Sequence, residues 1–211
     1  MPQTNLIKLS PSSLNIMEDC ERCFWLQIKK GLRRPQIPVA GIVIKMDLII
    51  KDYFQGYRES GNLPELIKDK IKAKLAKGMP RKLTYADSET QLIIRGIPDE
   101  YLELKDKSII PLDHKTKSKK PEEIHKAHQL QLDVYSYLLK KNNYKTKEKG
   151  YLAYYYPEKC QLHKGLDIKV ALIPVKTSIT RAEHLIKKAS EILKGELPKK
   201  NKNCQFCMWN S

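Results

Sequence analysis

The sequence has no apolar run approaching the roughly 20 residues that a membrane-spanning helix needs. Its first ten residues, MPQTNLIKLS, also lack the apolar region of a secretory signal. The expectation is therefore a soluble protein of the cytoplasm. Internal repeats and long low-complexity linkers are absent too, which excludes solenoids and beads-on-a-string architectures. Acidic residues are the minority: 24 Asp and Glu stand against 40 Lys and Arg, for a formal charge of +16. Such an excess is the electrostatic footprint of a polyanion binder, with nucleic acid as the leading partner. The competing reading is a lysine-rich solvated surface with no partner. With 41% hydrophobic residues in 211, one substantial core is expected, and residues 1–211 read as a single domain.

Periodicity divides the chain into three regions. Near the start, LSPSSLNIMEDCERCFWLQIKKGLRRP offers caps at Ser12 or Ser13, apolar positions at Leu14, Met17 and Phe24, and a stop near Gly31 and Pro35, predicting one helix. A second helix is expected over GIVIKMDLIIKDYFQGYRESG with Ile44, Leu48 and Tyr53 or Phe54 inward, and a third over LPELIKDKIKAKLAKG. The period then changes to two. KLTYAD, TQLIIRGI, EYLELKD and SIIPLDHKT read as strands joined by polar turns. A helix follows with Pro121 in its first turn and Leu130, Val134, Tyr137 and Leu138 on one face. Two more strands, KGYLAYYYP and LDIKVALIPV, precede a helix capped by Thr180 and a short tail. This order predicts an α/β fold with a mixed central sheet flanked by helices, its catalytic sheet core over 80–175 and terminal elements over 1–35 and 196–211.

Asp99 lies one hairpin before Asp113-His114-Lys115. On a strand, residues 113 and 115 share a face while His114 points away and offers its backbone carbonyl. Two carboxylates that hold a divalent cation, beside a lysine that stabilises charge on a phosphate, meet the needs of phosphodiester cleavage. Further on, Gln131 and Tyr135 lie one helical turn apart on one face. The cysteines form two C-x₂-C pairs, Cys20 with Cys23 and Cys204 with Cys207, at opposite ends of the chain. Four thiolates so paired suit a tetrahedral Zn²⁺ site or an iron-sulfur cluster. Cys160, alone near His163, reads as a simple thiol.

Pro98-Asp99, then Asp113-His114-Lys115, then Gln131-x-x-x-Tyr135 resemble the PD-(D/E)xK nuclease superfamily in its RecB-like and Cas4-like branch. The resemblance implies a restriction-endonuclease-like core. It also implies a Mg²⁺- or Mn²⁺-dependent deoxyribonuclease, acting as an exonuclease on single-stranded DNA or DNA ends. Asp99, Asp113 and the His114 carbonyl would hold the metal, Lys115 would aid the attack, and Gln131 and Tyr135 would position the strand. An early helix would supply a further ligand, for which Asp47 is the candidate and Asp52 the reserve. For the cysteines the resemblance favours a [4Fe-4S] cluster, although two early and two late cysteines depart from the branch's commoner one-and-three division, and zinc stays open. The chain has no helicase motif, so any helicase, recombination or CRISPR partner would be a separate chain. Two other readings share the core: a non-catalytic nucleic-acid-binding module, and a structure-selective endonuclease, a class that usually lacks the Gln-x-x-x-Tyr helix and the cysteine pairs.

Lys68, Lys70, Lys72, Lys74, Lys77, Arg81 and Lys82 precede the sheet, and Lys117, Lys119, Lys120 and Lys126 follow the acid-bearing strand. They could hold a phosphate backbone without reading its sequence. Tyr151, Tyr154, Tyr155 and Tyr156 could stack on bases, but their place in a strand favours packing in the core.

Overall fold

The computed structural model describes residues 6–35 and 38–209, so the ends of the expected terminal elements lie outside the described residues. Its strands form two sheets. The smaller holds β1 (Ile7–Leu9), β4 (Leu92–Gly96) and β3 (Leu83–Asp87) in that order. The larger runs β2 (Ala73–Leu75), β5 (Glu100–Leu104), β6 (Ile109–Thr116), β7 (Lys149–Pro157) and β8 (Ile168–Lys176).

Strand β6 is the axis of the molecule. Its first six residues, IIPLDH, are all buried, the pattern of a strand covered on both faces. It pairs antiparallel with β5 and parallel with β7. A parallel pair needs a crossover, which α4 (Lys126–Lys141) supplies. Helix α4 covers the face of β6 that carries Ile109, through Leu130, Val134 and Leu138. Helix α3 (Gly41–Arg58) covers the other face, where Ile50 and Phe54 pack with Ile110, Leu112, Ala153 and Tyr155. The N-terminal helices α1 (Pro11–Asp19) and α2 (Glu21–Lys30) pack against α4 and α5 (Ile179–Lys194), and the short α6 (Gln205–Trp209) ends the chain beside α2.

The mixed α/β architecture and the strands β3 to β8 are as the sequence predicts, with the strands divided between two sheets. Several elements differ. The expected first helix is two helices: Ser10, not Ser12 or Ser13, is the cap, in a reciprocal capping box with Ser13, and Cys20 breaks the helix with extended backbone at φ −165° and ψ 110°. Gly31 closes α2 in the left-handed conformation, φ 71°, that glycine adopts freely.

The expected third helix is absent. Residues 65–70 form turns, and Ala73–Leu75 is an edge strand on β5. Ile71, Ala73 and Leu75 alternate with Lys72 and Lys74, so a strand buries the apolar set and leaves the lysines outward, where charge also discourages edge-to-edge pairing.

In α3 the expected inward residues Ile44 and Leu48 are 53% and 49% exposed. The stripe that faces the sheet is Met46, Ile50, Tyr53, Phe54 and Tyr57. The segment is apolar around much of its circumference, and the stripe with the aromatics buries more area. Pro121 lies before α4, whose cap is His125, and Ser178 rather than Thr180 caps α5. Tyr151, Tyr154 and Tyr155 are core residues.

Candidate active site

The β5–β6 hairpin sets the first half of the site. Glu100 pairs with Leu112, so the register carried one residue further sets Asp99 opposite Asp113. The Asp99 carboxylate accepts a hydrogen bond from the His114 N–H at 2.9 Å, which fixes it across the strand end. Asp113 is buried, whereas Asp99 and Lys115 are half-buried. Lys115 emerges two residues beyond Asp113 on the same face and forms an ion pair with it.

Helix α4 supplies the second half. Gln131 accepts from the Lys115 ammonium at 2.8 Å and donates to Asp113 Oδ1 at 2.9 Å. A lysine can only donate and an ionised carboxylate can only accept, so these partners fix the orientation of the amide. Tyr135, one turn on, receives a hydrogen bond from Gln131 at 2.8 Å and donates to the Ile97 carbonyl at 2.9 Å. Asp99, Asp113, Lys115, Gln131 and Tyr135 are thus brought together at one end of β6.

Burial pushes the Asp113 carboxyl up to about 6, with Lys115 opposing the shift and the Asp99 charge reinforcing it. Asp113 Oδ2 is sealed from solvent, and the Lys115 ammonium that pairs with it is its one protein partner among the described residues. A buried carboxylate oxygen with spare acceptor capacity, next to a second carboxylate, fits a divalent cation that keeps several of its own waters. The donor set is consistent with the metal expected from the sequence.

His114 points away, as expected. Its ring lies between Phe54 and Tyr155, with Nδ1 at 3.2 Å from the Tyr155 hydroxyl and Nε2 at 3.8 Å from Glu100. Glu100 is also paired to Arg58 at the end of α3. Burial opposes charge on Glu100, and His114 and Arg58 more than reverse it, holding the carboxyl below its usual range.

Asp47 is not brought to the site. Its carboxylate forms an exposed i,i+4 pair with Lys51 at 2.6 Å, although its spacing sets it beside Ile50 and Phe54 on the helix. Asp52 is exposed as well.

Three features escaped the sequence reading. At Gly96 an added Cβ would lie 2.9 Å from the Tyr135 ring and 2.8 Å from Leu138, so glycine lets α4 approach β4 closely enough for Tyr135 to reach Ile97. A glycine inside a strand, directly before Ile97-Pro98-Asp99, was the available signal. His128, one turn before Gln131, is held by the Tyr154 hydroxyl at 3.0 Å. Burial, together with Lys115 and Lys117, pushes it down to about 4. The Arg58–Glu100 pair left no signal, since its members are 42 residues apart.

A groove of about 680 Å³ opens beside the site between Ser10–Ile16 of α1, Arg95–Ile97 of β4 and Ala127–Tyr135 of α4, with Lys82 at its rim. It meets a second depression of about 580 Å³ at Asn15 and His128, bordered by Lys117, Lys119 and Lys126. Lys82 and Arg95 are exposed there. Lys119, at the second depression, is partly neutralised by Glu122, and Lys68, elsewhere, by Glu65.

At the far end of α1 the four cysteine sulfurs lie within 4.8 Å of one another and are buried. Cys20 and Cys207 are 3.5 Å apart, Cys23 and Cys204 3.6 Å, and Cys23 and Cys207 4.0 Å. The cluster joins the N- and C-terminal segments. Burial pushes Cys23 up to about 12. Burial works against Cys204 as well, but N–H groups of Cys207 and Phe206 and the thiols of Cys23 and Cys20 bring it to about 7. Cys160 is exposed and stands apart.

The model of the PD-(D/E)XK nuclease superfamily matches residues 58–211, and the chain belongs to that superfamily. Among solved structures, the crystal structure of SSO0001 is similar at TM-score 0.49 and 17% identity, covering 99% of this chain and 85% of that one. None of the curated proteins matches the sequence. Among the described residues no helix is long and apolar enough to cross a membrane.

Proposed function

We propose that the protein is an intracellular Mg²⁺- or Mn²⁺-dependent deoxyribonuclease that degrades single-stranded DNA or DNA ends, in the manner of RecB-like and Cas4-like enzymes. The observation that carries this reading is the Asp113 carboxylate, buried and raised toward neutrality, with Asp99 opposite it and Lys115 and Gln131 fixed on it. A divalent cation held by Asp99, Asp113 and the His114 carbonyl would polarise the scissile phosphate and activate water.

The chain's own residues set the rest. Lys115 brings a positive charge to the side of the carboxylates that faces α4, where it can stabilise charge growing on the phosphate. Gln131 holds both Lys115 and Asp113, so neither has to reorganise as the reaction proceeds. Tyr135 locks Gln131 against the Ile97 carbonyl. A groove walled by α1 and α4 favours one strand over a duplex, and Lys82, Arg95, Lys117 and Lys126 along it would hold the backbone in a salt-dependent way. Any helicase, recombination or CRISPR partner would deliver that strand.

Comparison of a labelled linear single strand, a blunt duplex and a closed circular single strand, each with Mg²⁺ or Mn²⁺, tests this reading. Rapid loss of the linear strand with the circle spared is expected, and loss of the duplex from its ends would extend the activity to double-stranded ends. Equal cutting of the circle would replace end-dependent attack by an endonuclease, and binding without cutting under every metal condition would leave a nucleic-acid-binding module.

A further inference from the structure

We propose that the four-cysteine site holds one tetrahedral zinc ion and not a [4Fe-4S] cluster. The inference does not depend on the nuclease reading, since it rests on sulfur spacing at a site remote in sequence from the carboxylates.

Four thiolates on a single Zn²⁺, with Zn–S near 2.3 Å, form a tetrahedron whose edges are about 3.8 Å. The separations of 3.5, 3.6 and 4.0 Å bracket that edge, and no pair exceeds 4.8 Å. A cubane gives each thiolate its own iron, which spreads the four sulfurs to roughly 6 Å. Seating one here would push the thiols of the two segments apart by about 2 Å.

The surroundings resist such expansion. Each cysteine is at most 7% exposed, and Ile16 and Phe206 pack against the cluster. Cys20 sits at the break between α1 and α2, and the Cys207 N–H bonds the Cys204 carbonyl at 2.9 Å, so each pair is held by tight backbone geometry. Arg34 lies over the Phe206 ring at 4.8 Å with Nη2 4.0 Å from Cys204 Sγ, where its charge offsets that of an anionic tetrathiolate centre. Four protein ligands leave no open position, so the ion is structural. It ties the tail to the helix pair whose first member walls the groove.

Elemental analysis and visible spectroscopy of the full chain, expressed with both iron and zinc supplied and purified without oxygen, decide the matter. One zinc per chain, a colourless protein and the intense visible bands of a tetrahedral thiolate site after cobalt exchange are expected. The Cys160→Ser variant should keep the same stoichiometry. About four irons with matching sulfide and a brown absorbance near roughly 400 nm would overturn the assignment. So would a folded protein without metal whose four thiols all react freely. Because the wild-type chain is measured, failure of a cysteine variant to fold cannot obscure the answer.

Discussion

The carboxylate site and the cysteine site both gather buried acidic groups around a place for a cation, yet they are assembled in opposite ways. Asp99, Asp113, Lys115, Gln131 and Tyr135 span 37 residues and are aligned by one strand register and one helix. The cysteines join segments more than 180 residues apart. In the first site a built-in cation, Lys115, compensates the charge, and hydrogen bonds hold the side chains without a metal. In the second, thiols pressed together gain little until an ion replaces their protons. Substitutions in the first should therefore remove chemistry and spare the fold. Substitutions in the second should loosen the fold and reduce chemistry as a consequence.

The largest expected effect is on cleavage. Lys115→Ala and Asp113→Asn should each reduce kcat on the order of 10³-fold, the scale for losing a group that meets transition-state charge, with unchanged circular dichroism. Gln131→Glu should be nearly as damaging, because it replaces the donor that faces Asp113 with a second acceptor.

Cysteine substitutions come next. Cys207→Ser should lower the melting temperature markedly, by an amount that zinc chelation of the wild type reproduces. If chelation left the melting temperature unmoved while abolishing cleavage, the proposed division between the two sites would fail.

Gly96→Ala tests whether close approach of α4 matters. A Cβ 2.9 Å from the Tyr135 ring must displace it, and a cost of about 1–3 kcal/mol in chemical denaturation is expected, with partial loss of activity.

A smaller effect follows from Asp113 in the metal-free protein. Its folded pKa, about 6, lies above the unfolded value, so the folded state binds the extra proton. The contribution of Asp113 to stability should be full below about pH 4 and decline as pH rises through 6, by roughly 2 kcal/mol between the two. The decline should vanish in Asp113→Asn. Smallest of all, Asp47→Asn removes only an exposed pair and should change stability by less than about 0.5 kcal/mol.

Much of the site was legible because it is local. Alternation fixes which residues of β6 share a face, and helical spacing puts Gln131 above Tyr135, so no long-range information was needed. The α4 face of Leu130, Val134, Tyr137 and Leu138 was readable for the same reason. Where tertiary contacts choose between local options, sequence reading erred. IKAKL carries both a helical and a strand pattern, and only the free edge of β5 selects the strand. In α3 two apolar stripes compete, and the sheet takes the aromatic one, which leaves Ile44 and Leu48 outward. Three-residue β1 is too short to show a period at all. The cysteine pairs announced a metal site by spacing, but their separations in space, which bear on which metal, require the fold.

The most direct measurement is Mn²⁺- and Mg²⁺-dependent digestion of a labelled single-stranded oligonucleotide by the wild type beside folded Lys115→Ala and Asp113→Asn. Metal-dependent cutting by the wild type that is lost in both variants is the predicted result. Cutting that survives both substitutions would contradict the assignment of Asp113 and Lys115 as the catalytic pair.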